Sequence, residues 1–304
     1  MIPPGKTLRL RLPATSANLG PGFDAAAVAL DRYLMIEAAA AVEFSIACTG
    51  RDAERCSRLD DNLILGIYKD LLAKNGQDAT PLAIRMTNDI PLGMGLGSSA
   101  AGRLAAIALA NHFGGLGWSS ERILTEACTL EGHPDNAAAC WMGGFVMAAH
   151  EGGAVQVARA EPPSAWRAIV AIPREPLATS KARAALPESY SRADAVANIQ
   201  SAGLLGLAFA QGRGDLLRSA MADRIHQPYR APICPLLGPL LPLAGQVGIL
   251  GAALSGAGPA VLLICESEAA LGPAESRVRA ALEAGEPAEL LKCRFEVSGA
   301  EQFY

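Results

Sequence analysis

The 304-residue chain has no excess of positive charge: 26 Lys and Arg stand against 30 Asp and Glu, a net charge of −4. Without a general basic field, neither nucleic acid nor an anionic membrane is expected as a partner. A Cys-x-x-Cys pair is also missing. The seven cysteines (Cys48, Cys56, Cys128, Cys140, Cys234, Cys265, Cys293) are scattered and odd in number. That pattern speaks against a disulfide framework or a zinc site and for a reducing cytoplasm. Aromatics are few, 5% of a composition that is 51% hydrophobic, mostly Ala and Leu. There is no internal repeat and no low-complexity tract, and the opening Met-Ile-Pro-Pro-Gly-Lys does not read as a signal peptide. One charge-free run, Ala231 to Cys265, is long enough to span a bilayer. Its Pro232, Pro235, Pro239, Pro242, Pro259 and six glycines would break a spanning helix repeatedly. A helix, a turn and a strand buried in a core are expected there instead.

Two common nucleotide signatures are absent as well. Gly5-Lys6-Thr7 imitates the tail of a P-loop, but no glycine lies upstream and a strand-like Leu-Arg-Leu-Arg-Leu follows instead of a helix. The Rossmann fingerprint fails because no second strand ending in an acid follows about 20 residues after the glycine-rich turn.

What the chain does have is Pro91-Leu92-Gly93-Met94-Gly95-Leu96-Gly97-Ser98-Ser99-Ala100-Ala101, followed by an Ala-rich helical run. Glycine repeats also build plain strand-to-helix turns. Here, however, alternate glycines let the backbone reach positive φ and come close to a ligand. Such a turn leaves N–H groups unpaired, and the following helix points its positive end at the same spot. A phosphate chain suits that geometry, and a hydroxyl of Ser98 or Ser99 can cap the helix or meet a phosphate-bound Mg²⁺.

Before this turn, residues 7–12, 26–37, 41–48 and 82–86 read as strands, and Asp60-Asp61-Asn62 opens a helix to about residue 74. Pro13 to Asp24 reads as an ordered, buried loop, because Leu19 and Phe23 are poor choices for water and its polar groups need partners. Helices are expected over 98–112 and from 119–120 to about 131, then His133-Pro134-Asp135-Asn136. There, Pro134 followed by Asp135 and Asn136 fits a helix start, and capping alone could account for either polar residue. A domain boundary is expected around 150–163, giving domains 1–158 and 159–304. The second half reads as a strand over 166–172, helices near 178–186, 191–211, 213–225 and 235–246, a helix over 272–285 and a last strand over 290–297. Alternation of this kind points to an α+β sandwich of helices on an antiparallel sheet.

Three stretches taken together resemble the GHMP family of small-molecule kinases: 13–24, 91–101, and Leu254-Ser-Gly-Ala-Gly-Pro259. Glu131-Gly-His-Pro-Asp-Asn136, Thr179 with Arg183, and His226-Gln-Pro-Tyr-Arg230 narrow the likeness to the branch acting on L-homoserine, over nearly the whole chain. The resemblance implies a two-domain α+β fold, with a ribosomal-protein-like N-terminal domain and a ferredoxin-like C-terminal domain. It implies an enzyme that passes the γ-phosphoryl of ATP to the homoserine side-chain hydroxyl, a step toward threonine; another kinase of the family, for mevalonate-like or sugar substrates, is the alternative. A homodimer is compatible with it.

In that reading Pro91 to Ala101 bind ATP, with Asn62 near the adenine, and Ser99 and an acid hold Mg²⁺. The implied acid is Glu126, with Glu131 as the alternative across a one-residue gap. Ser99, Glu126 and Asn136 are the catalytic set. Arg183 and Arg230 clamp the substrate carboxylate, Asp24 and Asp135 take its ammonium, and Asn18 and Asn136 orient its hydroxyl. His133, Thr179, Ser255 and Gly256 line the pocket. No dedicated general base is implied, which fits a loose phosphoryl-transfer transition state. The chain departs from the family pattern at Ala25-Ala26-Ala27 and at Cys140.

Overall fold

The protein is described by a computed structural model covering residues 7–283 and 285–303. The Met1–Lys6 stretch and its Gly5-Lys6 pair lie outside the described residues. In chain order the elements are β1 (Thr7–Asn18), β2 (Gly22–Ala40), β3 (Ser45–Gly50), α1 (Ala53–Cys56), α2 (Leu63–Lys74), β4 (Leu82–Asn88), α3 (Ser98–Gly114), α4 (Ser120–Glu131) and α5 (Asp135–Met142). They continue with β5 (Phe145–Glu151), β6 (Ala154–Ala160), β7 (Arg167–Pro173), α6 (Thr179–Ala184), α7 (Arg192–Gln211), α8 (Leu217–Ala220), α9 (Gln227–Arg230) and α10 (Leu237–Leu240). The chain closes with β8 (Ile249–Leu254), β9 (Val261–Cys265), α11 (Leu271–Leu282), β10 (Ala288–Cys293) and β11 (Glu301–Phe303).

Two sheets organise these elements. The first has seven strands along the path β11-β1-β2-β4-β3, with β5 on β2 and β6 on β5. Its pairs are antiparallel except β3 with β4. The second is the antiparallel order β10-β7-β9-β8. The α+β class expected from the sequence is the class observed.

β7 shows how the halves are joined. Its alternate residues Ala168, Val170 and Ile172 belong to the large core shared with the first sheet. Ile169 and Ala171 face the second core, under α10 and α11. Period-two alternation thus buries both faces of one strand. Phe209 of α7 stacks on Phe145 of β5, with centroids 4.1 Å apart and planes 6° from parallel, and so pins the second half onto the first sheet.

Several expectations are corrected. Pro13–Asn18 is strand rather than loop: β1 continues through a register shift at Pro13/Ala14, and only residues 19–21 turn. The loop reading missed it because a bulged strand carries the same turn-forming residues. Residues 213–225 and 235–246 hold single helical turns rather than helices, and 249–254 is an unforeseen strand. At the tail, β11 returns to pair with β1, Arg9 facing Phe303.

Candidate active site

The glycine turn lies between β4 and α3 and is locked from two sides. Gly93, Gly95 and Gly97 all hold left-handed φ, at 73°, 78° and 71°. A Cβ at Gly95 would collide with the Ser255 carbonyl oxygen, and one at Gly97 with Thr15 Oγ1. Only glycine fits both the dihedrals and the space. Ser255 Oγ donates to the Gly95 carbonyl oxygen at 2.7 Å, which ties the 254–259 turn to the glycine turn. The Leu177 N–H, donated to the Gly93 carbonyl oxygen at 3.1 Å, ties in the segment before α6. Among the described residues, no protein acceptor meets the N–H groups of Gly93 to Gly97. They open onto a cleft of about 480 Å³ beside the positive end of the 17-residue α3.

The opposite wall of the cleft is charged. Glu131 ends α4, whose chain turns out at Gly132 (φ 81°). His133 and Asp135 follow at once: Asp135 Oδ1 accepts from the Asn136 N–H at 2.7 Å and contacts His133 Nδ1 at 2.5 Å. Asp135 is 1% exposed. Burial by itself lowers the His133 imidazole, but the Asp135 hydrogen bond and the charges of Asp135 and Glu131 outweigh it and raise its pKa. Asn136 Oδ1 accepts from Thr15 Oγ1 at 2.7 Å. Ligand atoms of Asp24, His133 and Asp135 lie within 4.8 Å of one another, forming an acidic pole.

A basic pole faces it. Arg183 grips Asp24 two-pronged, at 3.0 and 2.8 Å. Arg230 is buried; its Nε donates to the Ala182 carbonyl oxygen at 3.1 Å, and its Nη1 to His226 Nδ1 at 3.2 Å and the Gly256 carbonyl oxygen at 3.3 Å. Burial and the Arg183 charge lower its pKa. Burial also lowers His226, keeping it neutral, so that Nδ1 can accept from Arg230 while Nε2–H donates to the Gly20 carbonyl oxygen at 2.8 Å. Both guanidinium groups lie over the Phe23 ring, at 5.7 and 5.4 Å from its centroid. Asn18, at φ 68°, donates to the Gly256 carbonyl oxygen at 2.8 Å and accepts the Asp24 N–H at 3.0 Å. Asp24 itself sits at φ 54°. Left-handed non-glycine residues of this kind concentrate where the backbone must aim a side chain.

Most of the residues expected at the site line this one cleft: Asn18, Asp24, Leu92, Gly93, Gly95, Gly97 to Ala100, His133, Asp135, Asn136, Thr179, Arg183, Arg230 and Gly256. Others do not. Glu126 pairs with Arg122 one turn back on α4, at 3.3 Å, and is not part of the cleft lining, whereas Glu131 is. Asn62 caps α2: its Oδ1 accepts from the Ile64 and Leu65 N–H groups and its Nδ2 donates to Cys56 and Arg58 carbonyl oxygens, so the amide is fully engaged. It borders a separate apolar cavity with Leu34, Leu63, Ile64 and Met86. Ser255 is wholly buried on Gly95; Leu96 and Ala101 are core residues; Pro91 and Met94 face a second cavity.

Three residues of the site were missed. Thr15 and Phe23 hold up others, as described. Arg103 donates to Ser99 Oγ and, at 2.7 Å, to Glu131 Oε1. Its spacing of four from Ser99, one helical turn, was the available signal. Ser99 Oγ and Glu131 Oε1 therefore face one point, a donor set of the kind a hard divalent cation takes.

Comparison with known proteins bears on the family and the fold. The family described as GHMP kinases N terminal domain matches residues 62–144, and that described as GHMP kinases C terminal matches residues 207–284. The homoserine kinase of Solibacter usitatus is 43% identical over 258 residues, covering 84% of each chain. The chain belongs to the GHMP kinase family. The homoserine kinase of Synechocystis sp. is 37% identical to this GHMP kinase over 95% of its length and 96% of the relative's. A crystal structure of homoserine kinase from Cytophaga hutchinsonii shares the fold, with a TM-score of 0.84 at 24% identity, covering 100% of this chain and 99% of that one.

Proposed function

We propose that this GHMP kinase transfers the γ-phosphoryl group of ATP to the side-chain hydroxyl of L-homoserine, giving O-phospho-L-homoserine and ADP. The observation that carries the acceptor is the Arg183–Asp24 pair. A zwitterionic amino acid can enter such a pair and satisfy both halves: its carboxylate takes Arg183, joined by Arg230, and its ammonium takes Asp24, joined by Asp135. A mevalonate-like acid or a sugar brings no ammonium to meet Asp24 and the buried Asp135. Relatives named homoserine kinase at 37–43% identity over most of the chain support the same acceptor.

The geometry supports the following roles. The unpaired N–H groups of the glycine turn hold the phosphate chain, and the apolar cavity behind Asn62 is the seat for the adenine ring. Ser99 and Glu131 would hold Mg²⁺, rather than Glu126, which is turned to Arg122. When bound, Mg²⁺ neutralises charge on the transferring phosphoryl group. Asn136, fixed by Thr15, orients the acceptor hydroxyl. The hydroxyl oxygen bonds to the γ-phosphorus as the bond to the β,γ-bridging oxygen breaks, and the hydroxyl proton passes to the transferred phosphoryl group. No side chain is required as base, since the work is positioning and charge stabilisation. The first-sheet half carries the nucleotide, and the second half closes on the amino acid through α6, α9 and the 254–259 turn.

The test is an acceptor screen following ADP release with homoserine, mevalonate, shikimate and galactose, with the product identified by mass spectrometry. Homoserine alone should accelerate release and yield phosphohomoserine. Preference for another alcohol would overturn the assignment.

A further inference from the structure

Arg103 stands at the phosphate end of the cleft with a task the proposed reaction does not yet give it. It lies on the same face of α3 as Ser99, one turn along. Its side chain is 21% exposed, and one nitrogen, Nη1, donates both to Ser99 Oγ and to Glu131 Oε1. Glu131 is 9% exposed, with its other oxygen 3.6 Å from His133 Nε2. A carboxylate so enclosed needs a positive partner. The Arg103 guanidinium is that partner.

The same two oxygens are those assigned above to Mg²⁺, and the inference rests on that assignment. A dication and a guanidinium cannot share them, because their charges repel and their bonds point at the same lone pairs. We propose that Arg103 occupies the divalent-cation position of the empty enzyme and moves onto the terminal phosphates of the nucleotide when metal and nucleotide bind. The side chain is anchored one helical turn from the glycine turn and already lines the cleft with Gly93, Gly95 and Gly97. Its planar fork matches phosphoryl oxygens two-pronged. Metal alone would strand the displaced guanidinium beside a dication. Metal arriving with a phosphate chain gives it a new partner, so the exchange couples the two binding events and leaves an extra positive charge on the transferring group.

Mn²⁺, read by its electron paramagnetic resonance signal, is the probe. It is titrated into the full chain, with and without ADP, for the wild type, Arg103→Gln, Arg103→Lys and Glu131→Gln. Arg103→Gln should bind Mn²⁺ alone about tenfold more tightly than the wild type, the worth of one charged hydrogen bond removed from competition. It should also lose at least about tenfold in kcat/KM for ATP, as an arginine on transferring phosphate would. Arg103→Lys should fall between on both counts, and it carries the comparison if Arg103→Gln does not fold. An unchanged Mn²⁺ affinity in the arginine variants overturns the occupancy of the cation position. A tighter Mn²⁺ site with unchanged kcat/KM for ATP overturns the move to phosphate. Glu131→Gln should bind Mn²⁺ weakly in every case; if it keeps full affinity, the metal assignment itself is wrong, a failure distinct from that of Arg103 alone.

Discussion

Arg183 and Arg230 face one cleft under different constraints. Arg183 is 40% exposed and held by Asp24 alone among carboxylates, so Arg183→Ala should fold normally. Its KM for homoserine should rise roughly ten- to hundredfold, the range for lost charged hydrogen bonds. KM for ATP should change little, and steady-state kinetics with each substrate varied will separate the two. Arg230→Ala instead takes the Arg230 donor from the Ala182 carbonyl and from His226 Nδ1, while the Gly256 carbonyl keeps Asn18, so it should lower the melting temperature as well as weaken homoserine binding. The histidines titrate in opposite senses. His133 is raised above its ordinary 6.5, so its contribution to stability is fully present below 6.5 and is lost as pH rises through its folded midpoint. His226 is lowered, so folding favours its neutral form, and it begins to destabilise as pH falls below 6.5. Imidazole NMR titration should find His133 above 6.5 and His226 below. Asp135→Asn should bring His133 down, because only the Glu131 and Asp24 charges then oppose burial; an unmoved midpoint would refute the pairing. At this scale, charged and turn residues in family motifs were readable as a site. Thr15 was not, because a threonine in a strand carries no local signal of what it touches across the fold, and Arg103 offered only its one-turn spacing from Ser99, not its reach to Glu131.

The glycine turn is the element on which the site depends, and glycine substitutions separate its role from ordinary helix effects. Gly95→Ala demands a left-handed alanine whose methyl meets the Ser255 carbonyl. It should abolish activity and lower the melting temperature. Gly66, exposed on α2 at ordinary helical dihedrals with nothing within 4 Å of a Cβ, is the control. Gly66→Ala should raise stability by about 0.5–1 kcal/mol and leave kinetics unchanged. Thermal melts with activity assays on both variants decide this. Elements with a strong period and clear ends were legible: α3, closed by Gly115 at φ 64°, α4 between Ser119 and Gly132, and α7 from Ser191 to Gly212 all carry caps in the sequence. β8 was not, since Gly251-Ala-Ala-Leu has neither alternation nor β-branched residues. Packing against β9 and α8 makes it a strand, which is a tertiary effect that local propensity does not report.

Across the whole molecule, the cleft is formed where two sheets meet, and its walls come from both halves of the chain. Arg183 and Asp24 are 159 residues apart, and Ser255 and Gly95 are 160 apart. Neither half holds the complete site. The returning β11 adds to this interdependence, since the last described residues stabilise the first strand. Removing residues 299–304 should therefore lower the melting temperature of the intact chain, although no residue of the cleft is lost; calorimetry will show it. The two-layered α+β architecture could be read from alternation along the chain, but not the tail's return, because three residues of edge strand are too short to show a period. The most direct measurement is a crystal structure with L-homoserine, Mg²⁺ and a non-hydrolysable ATP analogue bound together. It should show the triphosphate on the Gly93–Ser99 backbone, the amino-acid carboxylate between Arg183 and Arg230 with Arg183 released from Asp24, and the hydroxyl directed at the γ-phosphate. A homoserine molecule bound elsewhere, or an Arg183–Asp24 pair still closed with substrate in place, would contradict it.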